Sequence, residues 1–282
     1  MQIMQKKGYY YLCHTFRKSG KPTYREIYLG ITVPTDIEQI KEAFLRKILN
    51  EDAFVKLEKI RKNFKEQWKR YPETVKKKLL LDFSIDFTYN TNAIEGSKIT
   101  KEETQEILEK KISPNKPLPD ILETIAHSKV FFSALNEKKS LSGNLILKWH
   151  YELFKETKPD IAGKIREYLV RVGDYRAPDW QDVPKLLKEF FVWHSKSKKM
   201  MHPLELAARV HYKFEKIHPF GDGNDRVGRL IIACILKNGG YPLLIIEYKR
   251  RKSYYRALNK TENDFVNYLI KRYLSRHKEF IR

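Results

Sequence analysis

Acidic residues are in short supply. The 282-residue chain has 35 Asp and Glu against 56 Lys and Arg, a formal net charge of +21 at pH 7. Such an excess suits a nucleic-acid partner, an acidic substrate or an acidic protein target, and a charge-rich solvated surface accounts for it equally. The basic residues are scattered along the chain, with Lys249-Arg250-Arg251-Lys252 as the sharpest cluster, so the surface reading is preferred and nucleic acid is not favoured. Cysteine is scarcer still. Cys13 and Cys234 stand far apart, which excludes a disulfide framework and any cysteine metal spacing and points to a reducing compartment. Long apolar runs are missing too, so no transmembrane helix is expected. Met1 to Lys7 lacks the apolar segment of a signal peptide. A soluble, cytoplasmic protein with no membrane partner is the expectation. Hydrophobic content of 41% with 13% aromatics argues for a folded chain, long enough for one large domain or two small ones.

The densest chemistry lies in residues 218 to 229, His218-Pro219-Phe220-Gly221-Asp222-Gly223-Asn224-Asp225-Arg226-Val227-Gly228-Arg229. His218 can take a proton near neutral pH. Gly221, Gly223 and Asn224 form a turn that can aim successive backbone N–H groups at one point. The apolar run from Leu230 to Leu236 reads as a buried helix. A turn feeding a helix N-terminus favours anions, because orphan N–H groups and the helix dipole act together. Arg226 and Arg229 are three apart and share a helix face, where they can clamp phosphate oxygens. Asp222 is the acid amid this nest and suits a divalent metal bridging to phosphates. A dinucleotide loop fails for want of a third glycine, a P-loop for want of Gly-Lys-Ser/Thr, and an EF-hand because Arg226 stands where an acidic or amide ligand is needed.

This stretch resembles the signature of the Fic family, His-x-Phe-x-Asp/Glu-Gly-Asn-Gly/Lys-Arg-x-x-Arg. Every position matches except Asp225, which replaces the usual Gly or Lys and adds a negative charge beside the phosphate nest. That acid either weakens activity or points its side chain outward. Upstream, Thr91-Asn92-Ala93-Ile94-Glu95-Gly96 resembles the inhibitory motif of regulated Fic proteins. The resemblance implies that Glu95 pairs with Arg229 and takes the place of a nucleotide's γ-phosphate. The plain reading of the same residues is a helix end at Gly96 followed by a capping box, Thr100-x-x-Glu103.

Taken in order, Tyr9 to Leu29 alternates around a turn cluster at Arg17 to Pro22 and reads as a β-hairpin. From Thr35 the period becomes helical through Ile37, Ile40, Phe44, Ile48, Phe54, Leu57 and Ile60, with a break expected near Asn50-Glu51-Asp52 and an end by Tyr71-Pro72. Helices are expected from about Glu73 to Asn92, at 121–135, 144–154, 183–194 and 203–216, and from about Asp264 to Glu279. A short strand at Leu169 to Val172 with a turn at Gly173-Asp174 resembles the β-hairpin flap of Fic proteins, which by family analogy aligns a target segment by strand addition. Tyr254 and Tyr255 resemble the residues bordering the adenine pocket, one of the two being a candidate for the core instead. Asn263 is an approximate candidate near the base.

The fold expected is mainly α, a Fic-type helical core with a β-hairpin flap plus a small N-terminal β-hairpin. Residues 1–34 would be the hairpin extension, 35–112 a helical region with an inhibitory helix at about 73–95, and 113–282 the catalytic core. The resemblance implies a protein adenylyltransferase that moves AMP from ATP to a Ser, Thr or Tyr hydroxyl of an unidentified target. His218 would be the base, Asp222 the ligand of Mg²⁺ (or Mn²⁺), and Gly223, Asn224, Asp225, Arg226 and Arg229 the phosphate cradle, with the Asn224 side chain assisting. Two other readings stay open: removal of AMP by the same site with Glu95 positioning water, and a basic nucleic-acid-binding, toxin-like regulator that senses nucleotide. Homodimerisation rests on the family alone.

Overall fold

In the computed structural model, which describes residues 1–18, 21–138 and 140–281, contacts divide the chain into two compact units at residue 60. The first contains an antiparallel sheet of β1 (Gln2–Lys6), β2 (Tyr9–Lys18) and β3 (Lys21–Gly30), in that order. The expected hairpin is the β2–β3 pair, and β1 is a strand that the sequence reading left out. Its turn is Lys7-Gly8, with φ of 50° and 85°, the left-handed pair that suits a two-residue hairpin. The expected turn residues Ser19 and Gly20 lie outside the described residues. Leu12, Phe44 and Ile48 form the buried core of this unit.

The helix α1 (Ile37–Arg70) runs unbroken through 50–52. Asp52 does not stop it. Its carboxylate accepts from Lys56 one turn on at 2.6 Å, a pairing that supports a helix, and the stretch holds no proline.

The second unit is helical. It comprises α2 (Glu73–Ile94), α3 (Lys101–Gln105) running into a π-turn, α4 (Leu118–Asn136), α5 (Gly143–Phe154), the flap strands β4 (Arg171–Val172) and β5 (Tyr175–Arg176), α6 (Val183–Ser197), α7 (Pro203–Ile217), α8 (Asn224–Gly239), α9 (Arg251–Leu258) and α10 (Glu262–Arg276). The C-terminal helix therefore stops a turn before Glu279, and α9 is an element the sequence reading did not draw. Among the described residues no helix is long and apolar enough to cross a membrane.

Burial explains which helix sits in the middle. In α8, Leu230, Ile231, Ala233 and Leu236 are all 0% exposed, because the run from Leu230 to Leu236 is apolar on every face and the helix packs on α7, α4, α2 and α5. Its close contact with α7 depends on Gly228, where an added Cβ would stand 2.6 Å from both Glu215 Oε1 and His211 Nδ1. Helix α2 lies on α4 through Phe83, stacked on Phe131, and Phe87, tilted against the same ring, and two buried polar links, Ser84 to Ser128 at 2.8 Å and Thr88 to His127 at 3.0 Å.

The end of α2 is set by local chemistry. Gly96 takes φ +94°, its N–H donates to Ala93 O at 3.2 Å, and Ser97 N–H donates to Asn92 O at 3.0 Å. This is a Schellman turn, which needs a residue free of a Cβ at that point. Thr100 and Glu103 then form the expected capping box. Along the first turns of α2, Leu79, Leu80 and Phe83 help line a cavity of about 1600 Å³ together with Phe64, Trp68 and Tyr268.

Candidate active site

His218 is the first residue past α7, held in the left-handed region at φ 51° while its N–H closes the helix on Phe214 O at 2.9 Å. That conformation turns the chain sharply into the signature loop. Burial pushes the His218 imidazole below the usual histidine value, against an opposing pull from Asp225. Its side chain stays 12% exposed, so a neutral base faces the outside at neutral pH.

Arg166 fixes the base from behind. This buried guanidinium donates to three carbonyls: from Nε to His218 O at 2.8 Å, from Nη1 to Tyr168 O at 2.8 Å and from Nη2 to Pro178 O at 2.6 Å. Its own N–H donates to Pro219 O at 2.9 Å. Arg166 thus ties both ends of the flap to the backbone of the signature loop. The flap strands pair through Arg171–Arg176 and Val172–Tyr175, and Tyr175 donates to Lys216 O at 2.6 Å. Expected to begin at Leu169, the first strand is confined to Arg171–Val172.

The loop between His218 and α8 is held by short internal bonds. Phe220 N–H donates to Asn224 Oδ1 and Asn224 Nδ2 donates to Phe220 O, both at 2.9 Å. The Asn224 side chain is therefore hydrogen-bonded within the loop itself. Phe220 stacks on His150, with ring centres 3.9 Å apart. His150 Nε2 donates to Asp222 O at 2.9 Å, and its Nδ1 accepts from Gly163 N–H at 2.9 Å. One tautomer satisfies both. His150 is structural, and burial lowers its pKa to about 4. Gly223 is required by close approach and by its φ of 78°, since a Cβ would meet the buried Phe154 ring at 2.3 Å, while at Gly221 a Cβ would have to push aside the exposed Tyr168 hydroxyl.

Asp222 lies on the open side of the loop, its side chain 40% exposed. Gly223 N–H donates to its Oδ1 at 2.6 Å, and Lys158 donates to Oδ2 at 2.7 Å. Partial burial works against the carboxylate, but Arg226, Lys158 and Gly223 outweigh it and hold the pKa below the usual aspartate value. Gly223, with φ 78°, is the N-cap of α8, and the N–H groups of the first turn open toward this side. Arg226 lies over the Phe154 ring at 4.3 Å and forms an ion pair with Glu123 of α4. Glu123 also accepts from Thr157 at 3.0 Å and pairs with Lys158 at 3.2 Å. Glu123, Lys158 and Arg166 carry no motif, and sequence reading passed over all three.

Arg229, one turn further along α8, is 1% exposed. Its Nη2 donates to Glu95 Oε1 and to Thr91 O at 3.4 Å, while Nη1 donates to Asp225 Oδ1 at 3.0 Å. Burial disfavours the guanidinium charge, yet Asp225 and Glu95 overcome that and raise its pKa. The outward orientation entertained for Asp225 is not the one found. A positive partner one turn away draws the carboxylate inward, where the Tyr254 hydroxyl also donates to it. Tyr254 is 0% exposed, and His211 Nε2 sits 2.7 Å from its oxygen. Tyr254 is thus a core residue, the alternative expected for one of the pair; Tyr255 beside it remains partly accessible. Asn263 accepts from Arg209 at 3.1 Å, so its amide oxygen joins α10 to α7.

Beneath this network His211, Glu215 and Asp225 each bring one oxygen or nitrogen within 4.8 Å of the others. Burial raises the Glu215 pKa well above the usual glutamate value, with Asp225 adding to it. Asp225 is in turn paired with Arg229 of the same helix.

Known proteins are similar to this chain in sequence and fold. Residues 140–236 match the family model for the Fic/DOC family. The protein adenylyltransferase Fic of Nematostella vectensis is 32% identical over 201 residues, 69% of this chain and 47% of that protein. The corresponding protein of Drosophila ananassae is 34% identical over 60% of this chain and 35% of its own length. The chain spans less than half the length of these relatives. Among solved structures, Fic-1 from C. elegans superposes with a TM-score of 0.74 at 25% identity, over 90% of this chain and 79% of that one. A Fic domain containing signaling protein from Bacteroides thetaiotaomicron gives 0.71 at 25% identity, over 80% and 95%.

Proposed function

Since the chain is a Fic family protein, we propose that it transfers AMP from ATP to a hydroxyl of a target protein, with Glu95 holding the site in a restrained state. The observation that carries this reading is the arrangement around α8: a neutral, partly exposed His218 on one side of the loop, and Asp222, the first-turn N–H groups and Arg226 on the other.

His218 removes the proton from a Ser, Thr or Tyr hydroxyl, and the oxygen attacks the α-phosphorus. A P–O ester bond forms as the bond from the α-phosphorus to the bridging oxygen breaks, and pyrophosphate leaves. The N–H groups of Gly223, Asn224 and Asp225 and the Arg226 guanidinium receive the phosphate charge. Asp222 fits a divalent cation: it is a hard oxygen donor, partly exposed, and Mg²⁺ or Mn²⁺ takes one or two carboxylates and completes its shell with phosphate oxygens and water. When bound, that ion supplies neutralisation of the α- and β-phosphates. Lys158 and Arg226, which hold Asp222 here and are both paired with Glu123 as well, lie beside the place the phosphates would take. The flap strands are exposed, so an unpaired edge is open to an extended target segment.

Glu95 engages the guanidinium that a terminal phosphate would need, and a carboxylate there competes with an anion for the same donor. The test is self-modification with α-labelled ATP and Mg²⁺. Strong label on Glu95→Gly, weak label on the wild type and none on His218→Ala supports both transfer and restraint. If Glu95→Gly, supplied with a cell extract as a source of targets, transfers no more label than His218→Ala, the transferase reading fails.

A further inference from the structure

Asp225 is where this chain departs from the signature, and the structure shows what the acid does. Two carboxylates share one buried guanidinium: Glu95 on Nη2 and Asp225 on Nη1. They differ in how they are held. Glu95 is the C-cap of α2, so a shift of that helix end would remove it. Asp225 belongs to α8, the same helix as Arg229 and four residues before it, so no helix movement separates them. Tyr254, fully buried, donates its hydroxyl to Asp225 and is itself backed by His211. The Asp225 side chain is 13% exposed and the Arg229 side chain 1%.

We propose that Asp225 is a specificity-determining residue: fixed on Arg229 by Tyr254, it keeps half of that guanidinium neutralised after Glu95 has left, and so limits how much a nucleotide gains from a third phosphate. The inference rests on the reading that the site binds a nucleoside phosphate whose terminal group reaches Arg229. A phosphate placed there meets a fixed negative charge across the same guanidinium, and like charges brought together in a desolvated site are costly. Removing Glu95 alone therefore leaves a second restraint in place, one built into α8.

The discriminating quantity is the ratio of the dissociation constants of ADP and ATP, which does not depend on the fraction of protein that is folded. It is measured with Mg²⁺ by isothermal titration in the Glu95→Gly background, and then with Asp225→Gly, Asp225→Asn or Tyr254→Phe added. Asp225→Asn preserves shape and can still accept from Tyr254, which guards against a folding defect. The expected result is a preference for ATP over ADP that rises about tenfold or more in both Asp225 variants, and by less, in the same direction, in Tyr254→Phe. An unchanged ratio with both nucleotides still binding overturns the role of Asp225 and leaves the nucleotide reading intact. Absence of binding by either nucleotide in every variant, with folding verified by circular dichroism, overturns both.

Discussion

Gly228 of α8 comes so near Glu215 of α7 that a methyl group in its place would stand 2.6 Å from Glu215 Oε1. The same methyl would stand 2.6 Å from His211 Nδ1. Both of those side chains are almost completely buried, so neither has room to withdraw. Gly228→Ala is expected to force the two helices apart and to cost roughly 1–3 kcal/mol, the usual range for overpacking. Urea denaturation followed by circular dichroism measures this; a gain in stability, as expected for glycine to alanine in an open helix, would show that the helices have slack between them.

Glu215 itself makes a second prediction. Its folded pKa lies above its unfolded value of 4.5. Such a group contributes its full stability below about pH 4.5 and loses it as pH rises through the folded value. Replacement by glutamine removes the need to keep a carboxyl protonated. Glu215→Gln should thus melt higher than the wild type at pH 8, with the difference shrinking as pH falls toward 4.5. A variant less stable than wild type at pH 8 would mean that Glu215 works as a charged partner of His211 or His218.

His218 is expected to act as a base whose pKa burial has lowered from 6.5. A base must be unprotonated to work, so a lowered pKa extends activity toward acid. In the Glu95→Gly background, the acidic limb of log kcat/KM against pH should have its midpoint below 6.5. A midpoint above 6.5 would require Asp225 and Glu215 to outweigh burial at this ring.

Arg166 should matter to flap order more than to nucleotide binding. Arg166→Lys cannot reach three carbonyls set around a planar fork. Leaving two of them unpaired should cost roughly 1–3 kcal/mol, and amide exchange should quicken in residues 168–178. Affinity for ATP should stay within about twofold, because no atom of Arg166 points at Asp222 or Arg226. Unchanged exchange in the flap would remove Arg166 from its positioning role.

What could be read without coordinates follows from distance along the chain. The loop from His218 to Arg229 was legible because its turn, cap and arginines are contiguous and each leaves its own mark. The end of α2 was legible for the same reason: Gly96 and the box at Thr100 and Glu103 announce a stop and a start. Glu123, Lys158 and Arg166 were not, since each has a partner on the signature stretch 52 to 103 residues away and an isolated charge on a helix or loop looks like any other. The direction of Asp225 was also hidden, because it is decided by Arg229 and Tyr254 together and the second of these arrives from α9. Strand β1 was missed although Lys7-Gly8 offers a tight-turn signal; the short, polar Gln2–Lys6 gives little alternation to support it.

The end of α2 meets Arg229 with more than Glu95. Thr91 O also accepts from that guanidinium, so the negative pole of a 22-residue helix rests there. A helix of that length is a rod about 33 Å long, and its first turns run along the large cavity through Leu79, Leu80 and Phe83. A tilt of roughly 5° about its far end carries the tip about 3 Å, on a rise of 1.5 Å per residue, which is more than a hydrogen bond can follow. Were α2 to turn by that angle about its first residues, the contact at its tip would break while the packing at its other end changed by only a fraction of that distance.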